Sequence, residues 1–406
     1  MFVANIFHRL TTQRTRRGLP LCFFALLCAE QHAFADADAS GFSPGGIRDF
    51  VAYWAAARLL FTGNNPYSPS EVLSLQRSVG MTEPTPLIMW NPPWTLSFVW
   101  PFGLLEFTTG QFVWLLMNVF LVMFSAQRLL QLYGRPDDKA GPAWILAFTF
   151  IPAVYALILG QITPIILFGL TMFLILVEEK KKWRGIALVL TLLAVKPHFV
   201  YIFWLAVVLW LWCRRDWRIL IGTGIIGLIA SALPLLFDPQ IYSHYIEVHR
   251  SGDYLKPFDL PVPSLRNVLI AVFQLEGSLL AHLPTAVGAV WLLIYWRRHR
   301  DRWIWKERLP LLLLVSIVTS PYSWTFDQIV LLPAIIQSYV WLRGRVAGVM
   351  LGYLSFNAIY LAVRYIVPVD FWYFWMAPLF LAAYLWIRKR YGSGKAPAVS
   401  YSYCAN

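Results

Sequence analysis

The chain has 406 residues, of which 58% are hydrophobic and only 14% charged, against about 25% charged in an ordinary soluble domain. That balance excludes a soluble globular enzyme and leaves a helical membrane protein, because the apolar residues fall in repeated runs near bilayer length. The net charge of +13 does not indicate nucleic acid: the basic residues sit in short clusters between apolar runs, as the positive-inside rule requires.

The aromatic content (20 Trp, 19 Tyr and 28 Phe) suits belts at membrane interfaces. Cys22, Cys28, Cys213 and Cys404 show neither metal-ligand spacing nor a disulfide framework.

Residues 1–18 carry Arg9, Arg14, Arg16 and Arg17 and no acid, and read as a basic cytoplasmic N-terminus. The apolar stretch 19–35, interrupted by Glu30 and His32, reads as a first transmembrane segment. The alternative is a signal peptide, with Ala33-Phe34-Ala35 as its cleavage site. Residues 36–110 form a long extracytoplasmic loop in which Arg48 to Phe61 reads as an interfacial helix. Trp94 to Leu105 is apolar, but a dozen helical residues rise only about 18 Å, so it reads as re-entrant or interfacial. The multispan domain occupies 111–387 and a cytoplasmic tail 388–406.

Apolar runs place spans near 109–131, 142–159, 162–178, 184–196, 198–213, 217–236, 279–296, 308–320, 326–342, 346–366 and 370–387. With the first segment, the expectation is an all-α polytopic protein of about twelve transmembrane helices. This topology keeps most Lys and Arg on one side and both termini cytoplasmic. It gathers on the other face the 36–110 loop, Gly160-Gln161-Ile162-Thr163-Pro164, Lys196-Pro197-His198, the 238–278 loop, Ser320-Pro321-Tyr322-Ser323-Trp324 and Pro368-Val369-Asp370.

Asp49 heads the functional candidates, since a water-accessible carboxylate can take a proton from a hydroxyl nucleophile; a helix N-cap is the plainer reading. Lys196 lies in an apolar run, where an ionisable group is costly and marks a functional site. It suits a lipid phosphate, with His198 as a second donor, or it snorkels to the interface. Gln161 sits at a helix break and serves either a ligand or helix packing. Asp327 is a ligand-orienting group or half of an ion pair with Lys196 or Arg364. In the 238–278 loop, His244, His249, Arg250, Asp253, Lys256 and Arg266 are available to an acceptor or phosphate. Phosphate loops, Rossmann fingerprints, zinc-protease motifs and nucleophile elbows are missing from the sequence.

The stretches Asp49-Phe50-x-x-Tyr53, Gly63-Asn64-Asn65-Pro66-Tyr67, Asn91-Pro92-Pro93, Leu159-Gly160-Gln161, Val195-Lys196-Pro197, Pro263-Ser264-Leu265 and Ser320-Pro321 through Asp327-x-x-x-Leu331-Leu332 form a pattern. In it the chain resembles the polyprenol-phosphate-mannose-dependent alpha-mannosyltransferases of glycosyltransferase family 87, within the GT-C superfamily. The resemblance implies a GT-C fold, a lipid-linked sugar donor, and transfer on the extracytoplasmic face of a bacterial inner membrane. It also implies an acidic general base after the first span, which maps onto Asp49. Tyr53, Ser320 and Trp324 are then site-lining candidates with Gln161, Asp327, Arg250 and Arg266. No cofactor or divalent metal is indicated, because Lys and Arg can neutralise a lipid monophosphate. The family often carries a histidine in the Ser-Pro segment; here Thr325-Phe326-Asp327 stands instead, so no catalytic histidine is assigned. The partners implied are a polyprenyl-phosphate sugar donor and a lipid or glycan acceptor. An O-antigen-ligase-like transferase and a flippase of lipid-linked sugar are the alternatives.

Overall fold

The computed structural model describes residues 49–179, 183–251, 256, 260, 262–275, 277–367 and 369–392. The expected N-terminus (1–18), first segment (19–35), Arg48 and most of the tail lie outside these. The chain divides into two units, Met1–Gly46 with Gly80–Pro84, and Ile47–Val79 with Thr85–Asn406; everything below concerns the second.

Every regular element among the described residues is helical. In chain order they are α1 (Phe50–Phe61), α2 (Pro69–Ser78), α3 (Leu96–Val99), α4 (Phe107–Tyr133), α5 (Gly141–Phe148), α6 (Ile151–Ile158), α7 (Thr163–Glu178), α8 (Trp183–Leu193) and α9 (Tyr201–Arg214). After them come α10 (Trp217–Ala232), α11 (Ile241–Arg250), α12 (Leu265–Phe273), α13 (Leu283–His299), α14 (Trp305–Thr319), α15 (Leu332–Trp341), α16 (Val346–Ile366) and α17 (Met376–Tyr391). Short 3₁₀ turns join several of them, notably Trp100–Leu104, His198–Val200 and Thr325–Leu331.

Four helical stretches are long and apolar enough to cross a membrane: Phe107–Tyr133, Trp217–Leu236, Leu279–Arg302 and Ala347–Ile366. A fifth is α5 with α6, taken as one span bent by 71°. The chain restarts there because Pro152, in the first turn of α6, has no N–H to offer a continuing helix. The runs expected at 162–178, 184–196, 198–213, 308–320, 326–342 and 370–387 are helices of only 16, 11, 14, 15, 10 and 16 residues. At 1.5 Å per residue none reaches the roughly 30 Å of a hydrocarbon core. The twelve crossings expected from apolar runs therefore reduce, on length and composition, to four or five among the described residues.

The short helices occupy the centre and the long ones the periphery. On α14, Leu309 through Ser316 are all buried, and α7 is buried along most of its length, as befits helices that are apolar on every side. Phe173 of α7, Phe203 and Trp210 of α9 and Trp305 of α14 meet edge to face, with Phe173 and Trp305 centroids 4.8 Å apart. Such pairs add about 1 kcal/mol each beyond their burial. The outer helices α10, α13 and α16 leave Leu228, Val287 and Ile359 exposed; such side chains are at home against lipid.

Helix α1, expected as an interfacial helix, is enclosed by protein: all its residues but Arg58 and Phe61 are buried. The Trp100–Leu104 turn approaches its backbone so closely that a Cβ at Gly103 would lie 2.6 Å from the Ala57 carbonyl carbon. Trp54 Nε1 donates to the Leu105 carbonyl at 3.0 Å and Arg58 Nη1 to that of Gly103 at 3.0 Å.

Between α4 and α5, Asp138 caps its own loop by accepting from the Arg135 N–H at 2.6 Å and pairs with Arg343. Desolvation opposes ionisation of Asp138. The Arg343 hydrogen bond and charge, with the Arg135 backbone, outweigh that and hold the carboxyl below its ordinary value. A carboxyl with a depressed folded-state pKa stabilises fully above its unfolded pKa of about 3.9, and that stabilisation is lost as pH falls through the folded value. Arg343→Ala should therefore cost about 1 kcal/mol near neutrality. Thermal melts of the two proteins should begin to converge below about pH 4 and meet only below the depressed folded value; a gap that stays constant through the acid range would contradict the ion pair.

Candidate active site

Asp49 occupies the N-cap position of α1, yet its side chain makes no cap hydrogen bond. The carboxylate turns instead to Gln161, whose Nε2 donates to Asp49 Oδ2. The Asp49 backbone N–H is held by the Leu159 carbonyl at 2.8 Å. The N-cap reading thus describes its backbone and not its side chain.

The partner segment Leu159-Gly160-Gln161 is shaped by Gly160, whose φ of +68° lies where a side chain costs roughly 1–2 kcal/mol. That turn ends α6 and starts α7 at Thr163. Its carbonyl is fixed by Trp114 of α4, which donates from Nε1 to Gly160 at 2.8 Å. Trp114 is fully buried and packs on Phe50 and Tyr53, with centroids at 5.5 and 5.6 Å. One indole therefore braces both sides of the Asp49–Gln161 contact.

Lys196 does not snorkel. It is buried at the end of the α8 segment and donates to Asp327 Oδ1 at 2.6 Å. Asp327, fully buried, accepts from the Trp324 N–H through its other oxygen at 2.9 Å. The ammonium also lies 4.8 Å from the Phe326 ring centroid and 5.5 Å from that of Phe199, a favourable cation–π surround. The choice between Lys196 and Arg364 as partner of Asp327 is settled for Lys196. Asn91 and Trp94 tie the proline-rich stretch to the Val195 and Ala194 carbonyls at 3.2 and 3.1 Å, just before this lysine.

The two pairs belong to one site. Helices α6 and α7, on either side of Gln161, both pack against the Thr325–Leu331 turn that carries Asp327. The Tyr322 ring lies 5.0 Å from that of His198, whose Nε2 is buried without a hydrogen-bond partner. Trp324 donates from Nε1 to the Tyr322 hydroxyl. Ser320 is buried and donates to the Ile317 carbonyl at 3.2 Å. Tyr322 was not singled out from the sequence; its position between the two expected Ser-Pro-segment residues was the available signal.

The 238–278 loop is committed to structure at several points. His244 pairs with Asp238 at 2.9 Å, and His249 Nδ1 donates to the Tyr245 carbonyl at 2.8 Å. Ser264 caps α12 by accepting from the Asn267 N–H. Arg250 is exposed at the end of α11, and Arg266 Nη1 donates to Asn267 Oδ1 at 3.2 Å. Among the described residues, no group of three or more His, Cys, Asp or Glu side chains gathers in a way that could hold a metal ion.

An apolar cavity of about 290 Å³ runs along α14. Leu311, Val315 and Thr319 form its floor at helical spacing, with Val287 and Trp291 of α13 and Leu381 of α17 at its sides. Its Thr319 end adjoins the site: Thr319 shares a 2.7 Å hydrogen bond with Tyr201, three residues beyond His198, and precedes Ser320.

Gln161→Ala removes the described side-chain partner of Asp49 and should lower turnover about tenfold, by the loss of one charge-assisted hydrogen bond of about 1.5 kcal/mol. Steady-state kinetics at equal folded enzyme test this; unchanged turnover would mean that Gln161 only packs helices.

A sequence model of glycosyltransferase family 87 matches residues 90–321, more than half of the chain. The match contains Gln161, Lys196, His198 and Ser320, and Asp49 and Asp327 lie outside it. No curated protein and no solved structure matches the chain. With its apolar helices and this match, the chain belongs to glycosyltransferase family 87 and is a membrane glycosyltransferase.

Proposed function

We propose that the protein transfers a hexose, with mannose as the first choice, from a polyprenyl-phosphate donor to a hydroxyl of a lipid or glycan acceptor. The reaction takes place on the extracytoplasmic face of a bacterial inner membrane, in a GT-C-type scaffold with both termini cytoplasmic. The observation that carries this reading is that α6 and α7, which flank the Gln161 partner of Asp49, both pack on the turn that carries Asp327, so that a helix-terminal carboxylate and the buried Lys196–Asp327 pair sit in one region. One supplies a base and the other a cation, which are the two groups that displacement of a phosphate by a hydroxyl needs.

Asp49, oriented by Gln161, takes the proton of the acceptor hydroxyl as its oxygen attacks the anomeric carbon. The bond to the prenyl phosphate breaks on the opposite face, so the anomeric centre inverts. An ammonium has three N–H donors, and Asp327 takes one; a second is offered to the departing phosphate, with His198 beside it. Asp327 holds Lys196 in place in apolar surroundings. The groove along α14 has the apolar character and the volume for two or three isoprene units, and its Thr319 end adjoins the phosphate site. Lysine and arginine suffice to neutralise the monophosphate, so the reading asks for no metal.

Asp49→Asn preserves shape and removes the base. Transfer should fall by 10²–10⁴ with donor affinity retained, measured with radiolabelled polyprenyl-phosphate-mannose at equal expression. Ordinary turnover by this variant would take Asp49 out of the base role.

Lys196→Ala is a compound change, because it leaves a buried carboxylate unpaired at a cost of about 3–5 kcal/mol. Lys196→Met/Asp327→Asn removes both charges together. The double variant should fold and raise the apparent donor KM at least tenfold; an unchanged donor KM would exclude Lys196 from phosphate binding.

A further inference from the structure

Helix α16 presents most of its surface outward, with Leu351, Leu354, Ile359 and Val363 exposed. Its inward face is polar. Tyr353, Asn357, Tyr360 and Arg364 recur at spacings of four, three and four, which puts them on one stripe. An apolar helix that turns polar residues inward pays desolvation at each of them, so each contact calls for an explanation.

The first two meet backbone groups at the bend between α5 and α6. The Tyr353 hydroxyl donates to the Leu146 carbonyl at 2.7 Å. The Ile151 N–H, an orphan donor at the start of α6, is taken by Asn357 Oδ1 at 3.1 Å. Asn357 is itself held by donating from Nδ2 to the Tyr353 carbonyl at 2.9 Å. Tyr360 is buried in a cluster with Ile151, Tyr373 and Met376. Arg364 pairs with Asp370 at 2.6 Å and lies over the Tyr155 and Tyr373 rings at 5.5 and 5.3 Å. The Asp370 carboxylate lies close to Thr325, whose Oγ1 is buried without a hydrogen-bond partner.

Each contact leads to one half of the site. Helix α6 begins at the Asn357 contact and ends at Leu159-Gly160-Gln161, which holds Asp49. The 3₁₀ turn Thr325–Leu331 begins at the Asp370 contact and carries Asp327. Helix α6 and this turn also pack against each other. We infer that α16 is a strap that keeps the two halves in register. Asn357 is a positioning residue for Asp49–Gln161, and Arg364 with Asp370 positions Lys196–Asp327. The kinetic consequence rests on the function proposed above; the mechanical one does not.

The experiment therefore has two arms on the full chain in lipid nanodiscs. In the first, hydrogen–deuterium exchange is followed in Asn357→Ala and Asp370→Ala. Asn357→Ala should speed exchange at least tenfold over 151–161, and Asp370→Ala over 320–331, with 107–133 unchanged in both. Unchanged exchange in those windows, or a uniform rise across the chain, would overturn the strap.

The second arm uses radiolabelled polyprenyl-phosphate-mannose. Asn357→Ala should lower kcat about tenfold with donor KM held, and its effect should be less than additive with Gln161→Ala and additive with Lys196→Met/Asp327→Asn. Arg364→Gln should raise donor KM, and Arg364→Lys should restore it. A purely structural role would reduce the folded fraction and leave both constants per folded enzyme alone; that result would reject the positioning roles. Absence of transfer by wild type would count against the donor assignment, and the exchange arm would still decide the strap.

Discussion

The buried contact between Lys196 and Asp327 is the constraint on which the rest of the site depends. Two charges withdrawn from water cost several kcal/mol each, and their attraction offsets this only with good geometry and further hydrogen bonds. The chain supplies these: 2.6 Å between the charged atoms, the Trp324 N–H on the second carboxylate oxygen, and the Phe326 and Phe199 rings around the ammonium. Such a pair is poor economy as a mere fastener, since apolar residues of similar size would hold helices at least as well. Its presence beside Asp49 and Tyr53 makes sense where a fixed cation has chemistry to perform.

Around this pair the fold solves a backbone problem. Short central helices leave many unpaired N–H and C=O groups at their ends, and away from water each must find a partner. Side chains provide them throughout the centre: Trp114 for Gly160, Asn91 and Trp94 for the end of α8, Ser316 for Phe199 and Ile202, Asn357 for Ile151. Breaks in helices are thus what bring polar groups to one place. The same breaks make the site sensitive to residues that never approach it, of which the inward stripe of α16 is the clearest case.

How far the sequence foretold this depends on the kind of signal. Lys196 stood out because an ammonium in an apolar run is costly unless it snorkels to the interface, and Asp49 and Gln161 because each sits at a turn beside one. Their convergence was legible as a shared membrane face. Which acid Lys196 meets was not, because Asp327 lies 131 residues away and Arg364 was an equal claimant on it. The count of spans was less legible, since an apolar run shows what a segment avoids and not how long its helix becomes: four or five of the described helical stretches reach bilayer length. The near-complete burial of α1 was not legible either, because the Trp100–Leu104 turn that lies on it is about forty residues away in the chain. The polar stripe of α16 escaped notice because four polar residues across twelve positions barely lower the hydropathy of a span.

The central claim is that this site displaces a lipid phosphate from a sugar by direct attack. Purified protein in nanodiscs, offered either a radiolabelled polyprenyl-phosphate hexose or the corresponding nucleotide sugar, tests it most directly when the anomeric configuration of the product is read by NMR. Transfer from the lipid-linked donor alone, with the configuration opposite to that of the donor, is the predicted result. Transfer from the nucleotide sugar, or a product that retains the donor configuration, would contradict the account.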